Sequence, residues 1–595
     1  MNSQPEPDPS LLEAAGIDAR STRQWIRPAL AIAATVAVVW AILALVAGLQ
    51  AVSAVRDAET ALRALERSAD LDRYLDGELD SEIDEAIIEL DNASAKLDAF
   101  SLKPLRVVPF VGRQLSSARA LTASGLELAL SMRETGQTMR LIIDDSSEAA
   151  IHEQLELAAN ELAEMLATVR SIDLGPIDGL TGELARGRNE LAEQLAEVEP
   201  QLDNGAQLLF ALAELLRGPE DHLLLIANNA ESRAGSGMIL TTGVLRTSDG
   251  QVVVTDLGSS FAKNLPVGSI ELTETYTKHF QFLTPEAEWR NLAVTPRFPE
   301  TAESALRMWK EATGEELDGV VLVDPFMLQA LLVGTGPLAV DDREISAENV
   351  LDYLLHDQYL EIDVSFTNTE RRTKERLVAQ SVLDRVQGRD LDLVEMVPSV
   401  LDAAERRHLM LWSPDDDRQL IWSDTGVDGE LEANSLMVSS SNRSPSKLDY
   451  FVEIRTELTS EIVDGIREVE VLIAIDNTVD PSKEPQYVAG PADESFAGPG
   501  EYVGLVTLNL PGAATGGRFD GVEELSVAGA DGPTRIIATT VRVMPGERQW
   551  LTARFELPLG VDSIQIEPSA RAEPIRWTVG DRRVTDDRRW SVPLS

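Results

Sequence analysis

The sequence predicts a multidomain α+β protein: a single N-terminal transmembrane helix, a helical bundle or stalk, a layered α/β head and a C-terminal β-sandwich. Three observations support this class. An uncharged apolar run lies near the N-terminus, amphipathic helical patterns fill residues 50–217, and strand patterns become frequent after residue 218. With 595 residues, of which 44% are hydrophobic, the chain is long enough for several domains with buried cores.

The apolar run covers residues 28–49 and contains no charged residue. As a helix it would span about 33 Å, which is sufficient for the hydrocarbon core of a bilayer. The run is longer than a usual signal-peptide core and no clear A-x-A site follows it, which favours a retained anchor. Arginines crowd its N-terminal side, at Arg20, Arg23 and Arg27. They predict a cytoplasmic tail over residues 1–27 and a plasma-membrane protein whose bulk is extracytoplasmic.

The charge and the cysteine content exclude several functions. The formal net charge is -48, and such an acidic surface repels nucleic acid. The absence of cysteine excludes disulfides, thiolate metal sites and a cysteine nucleophile. The five histidines are scattered without metal-ligand spacing. No phosphate-binding loop, nucleophile elbow or zinc-protease motif is present.

Residues 50–217 have apolar positions at three- and four-residue spacing, which predicts antiparallel helices in a bundle or stalk. The pattern breaks at residues 104–112 and again at Gly175-Pro176. Because heptads are not sustained, the pattern does not favour one long coiled coil.

Residues 218–433 alternate between strand and helix patterns, which predicts a layered α/β head. Asp249-Gly250 indicates a hairpin, Gly314 a helix end and Pro325 a helix start. Residues 434–595 read as short strands separated by turns, which is typical of a β-sandwich. We expect these strands to pair among themselves and to fold without the head.

The stretch LIANNAESRAGSG, residues 225–237, is the first candidate site. A strand that ends in a glycine-rich turn leaves backbone N–H groups available, and Arg233 could pair there with a phosphate or carboxylate. The alternative is a structural turn in which Glu231 and Arg233 are solvated.

The stretch TNTERRTKER, residues 367–376, is the second candidate site. Thr367 and Glu370 form a capping box, which predicts that a helix begins here. Its first turns carry four cations, although cations at a helix N-terminus are unfavourable. These residues are Arg371, Arg372, Lys374 and Arg376. A bound anion would offset that cost, as would the neighbouring Glu370 and Glu375, so we predict an anion or diphosphate site formed with Arg233.

Five stretches in order resemble a bacterial envelope family, domain-of-unknown-function family 4012. They are PLRVVPFVGRQL (104–115), NNAESR (228–233), NLAVTPRFP (291–299), DGVVLVDPFMLQALLVGTGPLAV (318–340) and SKLDYFVEIR (446–455). The chain departs from the family pattern at Ser232, where a large apolar residue is usual, and at Gly235-Ser236-Gly237, where Thr-Gly-Gly is usual.

The middle region is also distantly similar to the LytR-CpsA-Psr family of membrane-anchored phosphotransferases. The similarity lies in DGVVLVDP and in the arginine-rich helix start followed by Gln380. It implies arginines that hold a pyrophosphate and acids that hold a divalent metal. On this chain those would be Arg371, Arg372 and Arg376, and Asp324 as a ligand of Mg²⁺. The family's Phe-Gly-Arg segment is missing after Asp363.

Two functions follow from these resemblances. One is a phosphotransferase-like protein that binds a polyprenyl-diphosphate-linked glycopolymer at the outer membrane face. The other is a non-catalytic envelope scaffold that binds wall polymer or a partner protein. In the catalytic alternative Asp324 holds Mg²⁺, whereas in the other it caps the helix that begins at Pro325.

Overall fold

The computed structural model describes residues 43, 46–65, 71–144, 150–340, 343–360, 378–382, 384–386, 391–491 and 495–594. The predicted tail, most of the predicted anchor at 28–49 and the arginine-rich stretch 367–376 lie outside these residues. Within the described part, no helix combines the length and the apolarity needed to cross a membrane. The described residues form two compact units, one from Met1–Leu141 and Glu161–Asp203, the other from Ile142–Asn160 and Asn204–Ser595.

The first unit is helical, as its amphipathic pattern predicts. Its helices pack through small residues, because Ala54, Ala58 and Ala93 are buried around Leu90 and allow close approach. Residues 46–65 form the first helix. It is followed by α1 (Leu71–Leu75), α2 (Asp80–Leu97), a 3₁₀ helix (Phe100–Val107), α3 (Pro109–Asp144), and parts of α4 (Ile151–Ser171) and α5 (Gly182–Arg217).

The second unit contains a five-stranded sheet in the order β3-β2-β1-β4-β7. Strands β1 and β4 are parallel and the other neighbours are antiparallel. The predicted hairpin is confirmed, because Asp249 and Gly250 both adopt positive φ between β2 and β3. The strands are β1 (Glu220–Ser232), β2 (Gly237–Ser248), β3 (Gln251–Ser259), β4 (Gly319–Val323), the separate ribbon β5 (Leu338–Val340) and β6 (Arg343–Ile345), and β7 (Leu409–Trp412).

Helices cover both faces of this sheet. Helix α6 packs on the face of Leu223, Leu225 and Leu322, and α7 and α9 pack on the opposite face with the end of α5. The predicted helix end at Gly314 and helix start at Pro325 are confirmed. The helices are α6 (Phe298–Thr313), α7 (Pro325–Thr335), α8 (Val350–Leu355), α9 (Leu393–Glu405), α10 (Asp416–Asp424) and α11 (Gln486–Ala489).

The C-terminal strands form two six-stranded sheets that share one hydrophobic core. The orders are β12-β15-β10-β9-β17-β18 and β13-β14-β11-β8-β16-β19. The strands are β8 (Ser435–Asn442), β9 (Val452–Val463), β10 (Ile466–Asn477), β11 (Tyr502–Leu510), β12 (Thr515–Phe519), β13 (Val527–Asp531), β14 (Thr534–Val543), β15 (Arg548–Leu557), β16 (Ser563–Ile566), β17 (Arg576–Val579), β18 (Arg582–Val584) and β19 (Trp590–Pro593).

A second hydrophobic core joins the sheet that contains β11 and β14 to the five-stranded sheet. Leu505 and Ile536 from the C-terminal strands are buried in the same cluster as Leu225 and Trp289. This shared core argues against the expectation that residues 434–595 fold alone. The multidomain α+β class is confirmed, whereas the domain boundaries at 217/218 and 433/434 stay predictions.

Candidate functional site

A large cavity of about 1310 Å³ lies against one face of the five-stranded sheet. Alternation along the strands directs every second residue to this face, so Leu224 and Ile226 of β1 and Val252 and Val254 of β3 line it. The intervening residues of β1 are buried in the core on the other face. Ligand cavities commonly measure about 300–1,000 Å³, so this one is large enough for a long ligand.

Helices form the facing wall. Positions three or four residues apart on α5, α7 and α9 turn apolar side chains toward the cavity, because such positions share one helix face. The apolar lining residues that follow this spacing on these three helices include Leu212, Leu215, Leu216, Met327, Leu328, Leu331, Met396, Val397 and Val400. The methionines give this wall adaptable packing, since their side chains have three rotatable bonds.

The lining also contains polar side chains, several of which come from the end of β1 and from segments near it. Asn228, Glu231, Arg290, Ser446 and Tyr487 are among them. A polar group next to an extensive apolar lining is the arrangement that an amphiphilic ligand requires.

Glu231 is paired with Lys447, which is 1% exposed and lies behind the cavity wall. The ammonium also faces two aromatic rings, with 5.0 Å to the ring centroid of Tyr359 and 5.6 Å to that of Tyr487. Burial alone would lower the pKa of Lys447, but the carboxylate of Glu231 more than compensates and raises it. The ammonium of Lys447 is therefore charged at neutral pH.

Arg233, predicted to bind an anion, donates its guanidinium hydrogen bonds to backbone carbonyls. Nη1 donates to the carbonyl oxygens of Ser232 and Asn442, each at 2.9 Å, and Nε donates to that of Arg290 at 3.2 Å. The residue is 7% exposed, and burial lowers its pKa. Arg233 is not among the residues that line the cavity. Its anion-binding role stays a prediction.

The turn after Arg233 is closed by backbone hydrogen bonds. The N–H of Arg233 donates to Ser236 at 2.8 Å, and that of Gly235 donates to Ala293 at 2.9 Å. A Cβ on Gly237 would stand 2.2 Å from the carbonyl carbon of Asn228, so only glycine fits there. The two N–H groups at Arg233 and Gly235 therefore have backbone partners instead of facing a ligand.

Asp324 caps helix α7, as the helix-start alternative predicts. Its Oδ1 accepts from the backbone N–H of Phe326 at 2.9 Å. Its Oδ2 accepts from Asn229 Nδ2 at 2.8 Å and from His408 Nδ1 at 2.7 Å. Among the described residues no group of three or more metal-binding side chains occurs. The proposed Mg²⁺ role of Asp324 stays a prediction.

Arg371, Arg372 and Arg376 lie outside the described residues, so the diphosphate site proposed for them stays a prediction. The described residues on either side of that segment do contact the cavity: Leu360 and Ala379 both line it.

Two residues near the polar side chains of the cavity were not predicted from the sequence. Arg290 lines the cavity, donates Nη2 to Glu288 at 2.8 Å, and has a buried Nε without a hydrogen-bond partner among the described residues. Lys447 was hidden because its partner Glu231 is 216 residues away. The only signal in the sequence for this pair was that NNAESR and SKLDYFVEIR are both stretches that resemble family 4012.

Those motifs converge in the fold. The backbone N–H of Ser232 donates to Asp449 at 3.0 Å, and Asn229 contacts Asp324. Burial raises the pKa of Asp449, while Arg571 beside it acts in the opposite direction. The motif residues therefore form one buried polar network at the end of β1.

Residues 217–359 match the model of a family described as "Protein of unknown function (DUF4012)". The matched segment includes β1–β6 and α6–α8, and it contains NNAESR, NLAVTPRFP and DGVVLVDP. The resemblance to family 4012 is confirmed over this segment. No curated protein and no solved structure matched the chain.

Proposed function

We propose that this chain is a single-pass, extracytoplasmic, phosphotransferase-like envelope protein whose cavity binds the apolar chain of a lipid-linked glycopolymer precursor, such as a polyprenyl diphosphate. The observation that carries the proposal is the 1310 Å³ cavity with its apolar walls and polar side chains. Burial of a methylene group contributes about 0.8 kcal/mol, so ten buried carbons contribute roughly 8 kcal/mol before the cost of ordering the chain.

The headgroup would bind where the polar lining residues lie. Arg290 supplies a guanidinium that is paired with Glu288, and Asn228 and Ser446 supply neutral polar groups. The arginines predicted to hold the diphosphate, Arg371, Arg372 and Arg376, belong to the segment between Leu360 and Ala379. The distant similarity to the LytR-CpsA-Psr family implies the same class of ligand.

A second candidate is non-catalytic binding of the same ligand, as an envelope scaffold or carrier. The observation in its favour is that both carboxylates among the described lining residues are already engaged. Glu231 is paired with Lys447, and Asp324 caps α7 and accepts from His408. Phosphoryl transfer with Mg²⁺ would require Asp324 to exchange these partners for the metal.

Filling the cavity tests the proposal with a matched pair of variants. Val254 lines the cavity, whereas its neighbour Val253 is 45% exposed and does not. We expect Val254→Trp to weaken binding of a long-chain polyprenyl-phosphate analogue by about tenfold or more, and Val253→Trp to leave it unchanged. Binding is measured by native mass spectrometry on residues 50–595 in both variants.

Two outcomes would contradict the proposal. One is equal binding by both variants. The other is equal affinity for a short-chain diphosphate, which would place recognition in the headgroup alone. Incubating the wild type with lipid-linked glycopolymer, an acceptor and Mg²⁺ separates the two candidates, because only the phosphotransferase forms a transfer product.

A further inference from the structure

Exposed apolar side chains cluster at the turn between α2 and α3 in the first unit. Phe100 is 83% exposed and Val107 is 86% exposed, and Val108, Phe110 and Val111 are exposed as well. We call these five residues the apolar collar. Single exposed apolar residues are ordinary on a protein surface, but five within twelve positions form a patch that needs a partner.

The collar is held in place by the backbone beneath it. A Cβ on Gly112 would stand 2.1 Å from the carbonyl oxygen of Arg106, so the 3₁₀ helix lies directly against the start of α3. Arg106 Nη2 donates to Asp98 at 2.7 Å, and Leu102 is buried beneath the turn. These contacts fix the conformation of the turn, and in that conformation the five side chains of the collar point to the surface.

The collar lies beside the chain that leaves the predicted anchor. Leu102 is buried in one cluster with Ala51 and Leu97, and Ala47 and Leu105 pack against that cluster. Residue 47 belongs to the uncharged run 28–49, so the turn contacts the last residues of that run. The helix of residues 46–65 also exposes apolar side chains, at Val46, Leu49 and Val52.

Basic residues accompany the collar in this acidic chain. Lys103, between Phe100 and Val107, and Arg113, just after Val111, are exposed, and Lys103 Nζ lies 5.9 Å from the ring centroid of Phe100. Apolar groups accompanied by cations are typical of segments that bind the interface of a bilayer with anionic lipids. There the aromatic and aliphatic side chains insert below the headgroups, and the cations contact the headgroups.

We propose that the apolar collar inserts into the interfacial region of the lipid bilayer, next to the predicted anchor. The membrane is the occupant because the collar adjoins the end of the only uncharged run of spanning length in the sequence. Insertion would fix the first unit against the membrane at a second point. The inference rests on the membrane anchor of the proposed function, but it does not depend on what the cavity binds.

The absence of cysteine allows a direct test, since an introduced cysteine is the only thiol in the chain. Val107→Cys and Phe110→Cys place a spin label on the collar, and Leu130→Cys places one on an exposed position of α3 outside it. The full chain is reconstituted in vesicles of phosphatidylcholine and phosphatidylglycerol. Accessibility to oxygen and to a water-soluble nickel complex is then measured.

We expect the collar labels to show a several-fold higher ratio of oxygen to nickel accessibility than the label at residue 130. A ratio equal to that at residue 130 would show a collar in water and overturn the proposal. Protection from both reagents would show packing against protein, a second copy included, and would overturn it equally. Helical circular dichroism of each variant verifies that the unit is folded.

Discussion

Replacing Glu231 by glutamine is expected to destabilise the second unit strongly, because it leaves the ammonium of Lys447 buried without its counterion. Lys447 is 1% exposed, so water cannot replace the carboxylate. Removal of one partner from a buried ion pair costs about 3–5 kcal/mol. The rings of Tyr359 and Tyr487 remain beside the ammonium, so we expect the lower end, about 3 kcal/mol.

The double variant Glu231→Gln/Lys447→Met gives the decisive comparison. It removes both charges and keeps similar side-chain volumes, so we expect it to be more stable than Glu231→Gln alone by about 1–2 kcal/mol. Lys447→Met alone should cost less than Glu231→Gln, because Glu231 borders the cavity and retains some access to water.

Denaturant unfolding of residues 50–595, followed by tryptophan fluorescence, measures these differences. Every tryptophan after residue 50 lies at or beyond Trp289, so the signal comes from the second unit. The reasoning is refuted if Glu231→Gln costs less than about 1 kcal/mol, or if the costs of the two single variants simply add in the double variant.

Three further predictions concern stability. Burial lowers the pKa of His222 to about 4 although Glu220 lies 3.2 Å away, so the unfolded chain takes up the proton first as the pH falls. We therefore expect the free energy of unfolding to fall by roughly 2 kcal/mol between about pH 7 and about pH 5. In denaturant titrations, the His222→Phe variant should lack this contribution to the pH dependence. Gly237→Ala should lower the free energy of unfolding by about 3 kcal/mol in the same titrations. Gly258→Ala should lower it by less than about 0.5 kcal/mol, because a Cβ at that position would stand 3.9 Å from its nearest neighbour atom. Equal losses in the two variants would contradict the tight turn at Gly237. Asp324→Ala removes a helix cap and two side-chain contacts and should lower the free energy of unfolding by about 3 kcal/mol, and a loss below about 1 kcal/mol would show that the cap is dispensable.

Local features of the fold were predictable from the sequence because their causes are local. Positive φ at Asp249 and Gly250 closes the hairpin, Gly314 ends α6 and Pro325 begins α7. Each depends on a backbone preference of one or two residues, which the sequence states directly. The amphipathic helices of the first unit were predictable for the same reason.

The candidate site was less predictable, because its causes lie far apart in the chain. Arginine is a residue type that commonly binds anions. The guanidinium of Arg233, however, donates to the carbonyl oxygen of Asn442, which belongs to a strand 209 residues further along the chain. Strand alternation shows that Leu224 and Val254 can share a face. It does not show whether another element fills the space beside them, so the cavity could not be foreseen.

The two faces of β1 place different demands on neighbouring residues. Leu223 and Leu225 lie in a filled core, where a larger side chain has no room. Leu224 and Ile226 line the cavity on the opposite face, and of the two only Ile226 is partly buried, because Leu224 also belongs to the core formed with the helices. Under the proposed ligand binding, mutations of Ile226 would reshape the ligand that fits with a smaller loss of stability than mutations of Leu225, so new ligand preferences can evolve at this position while the fold persists.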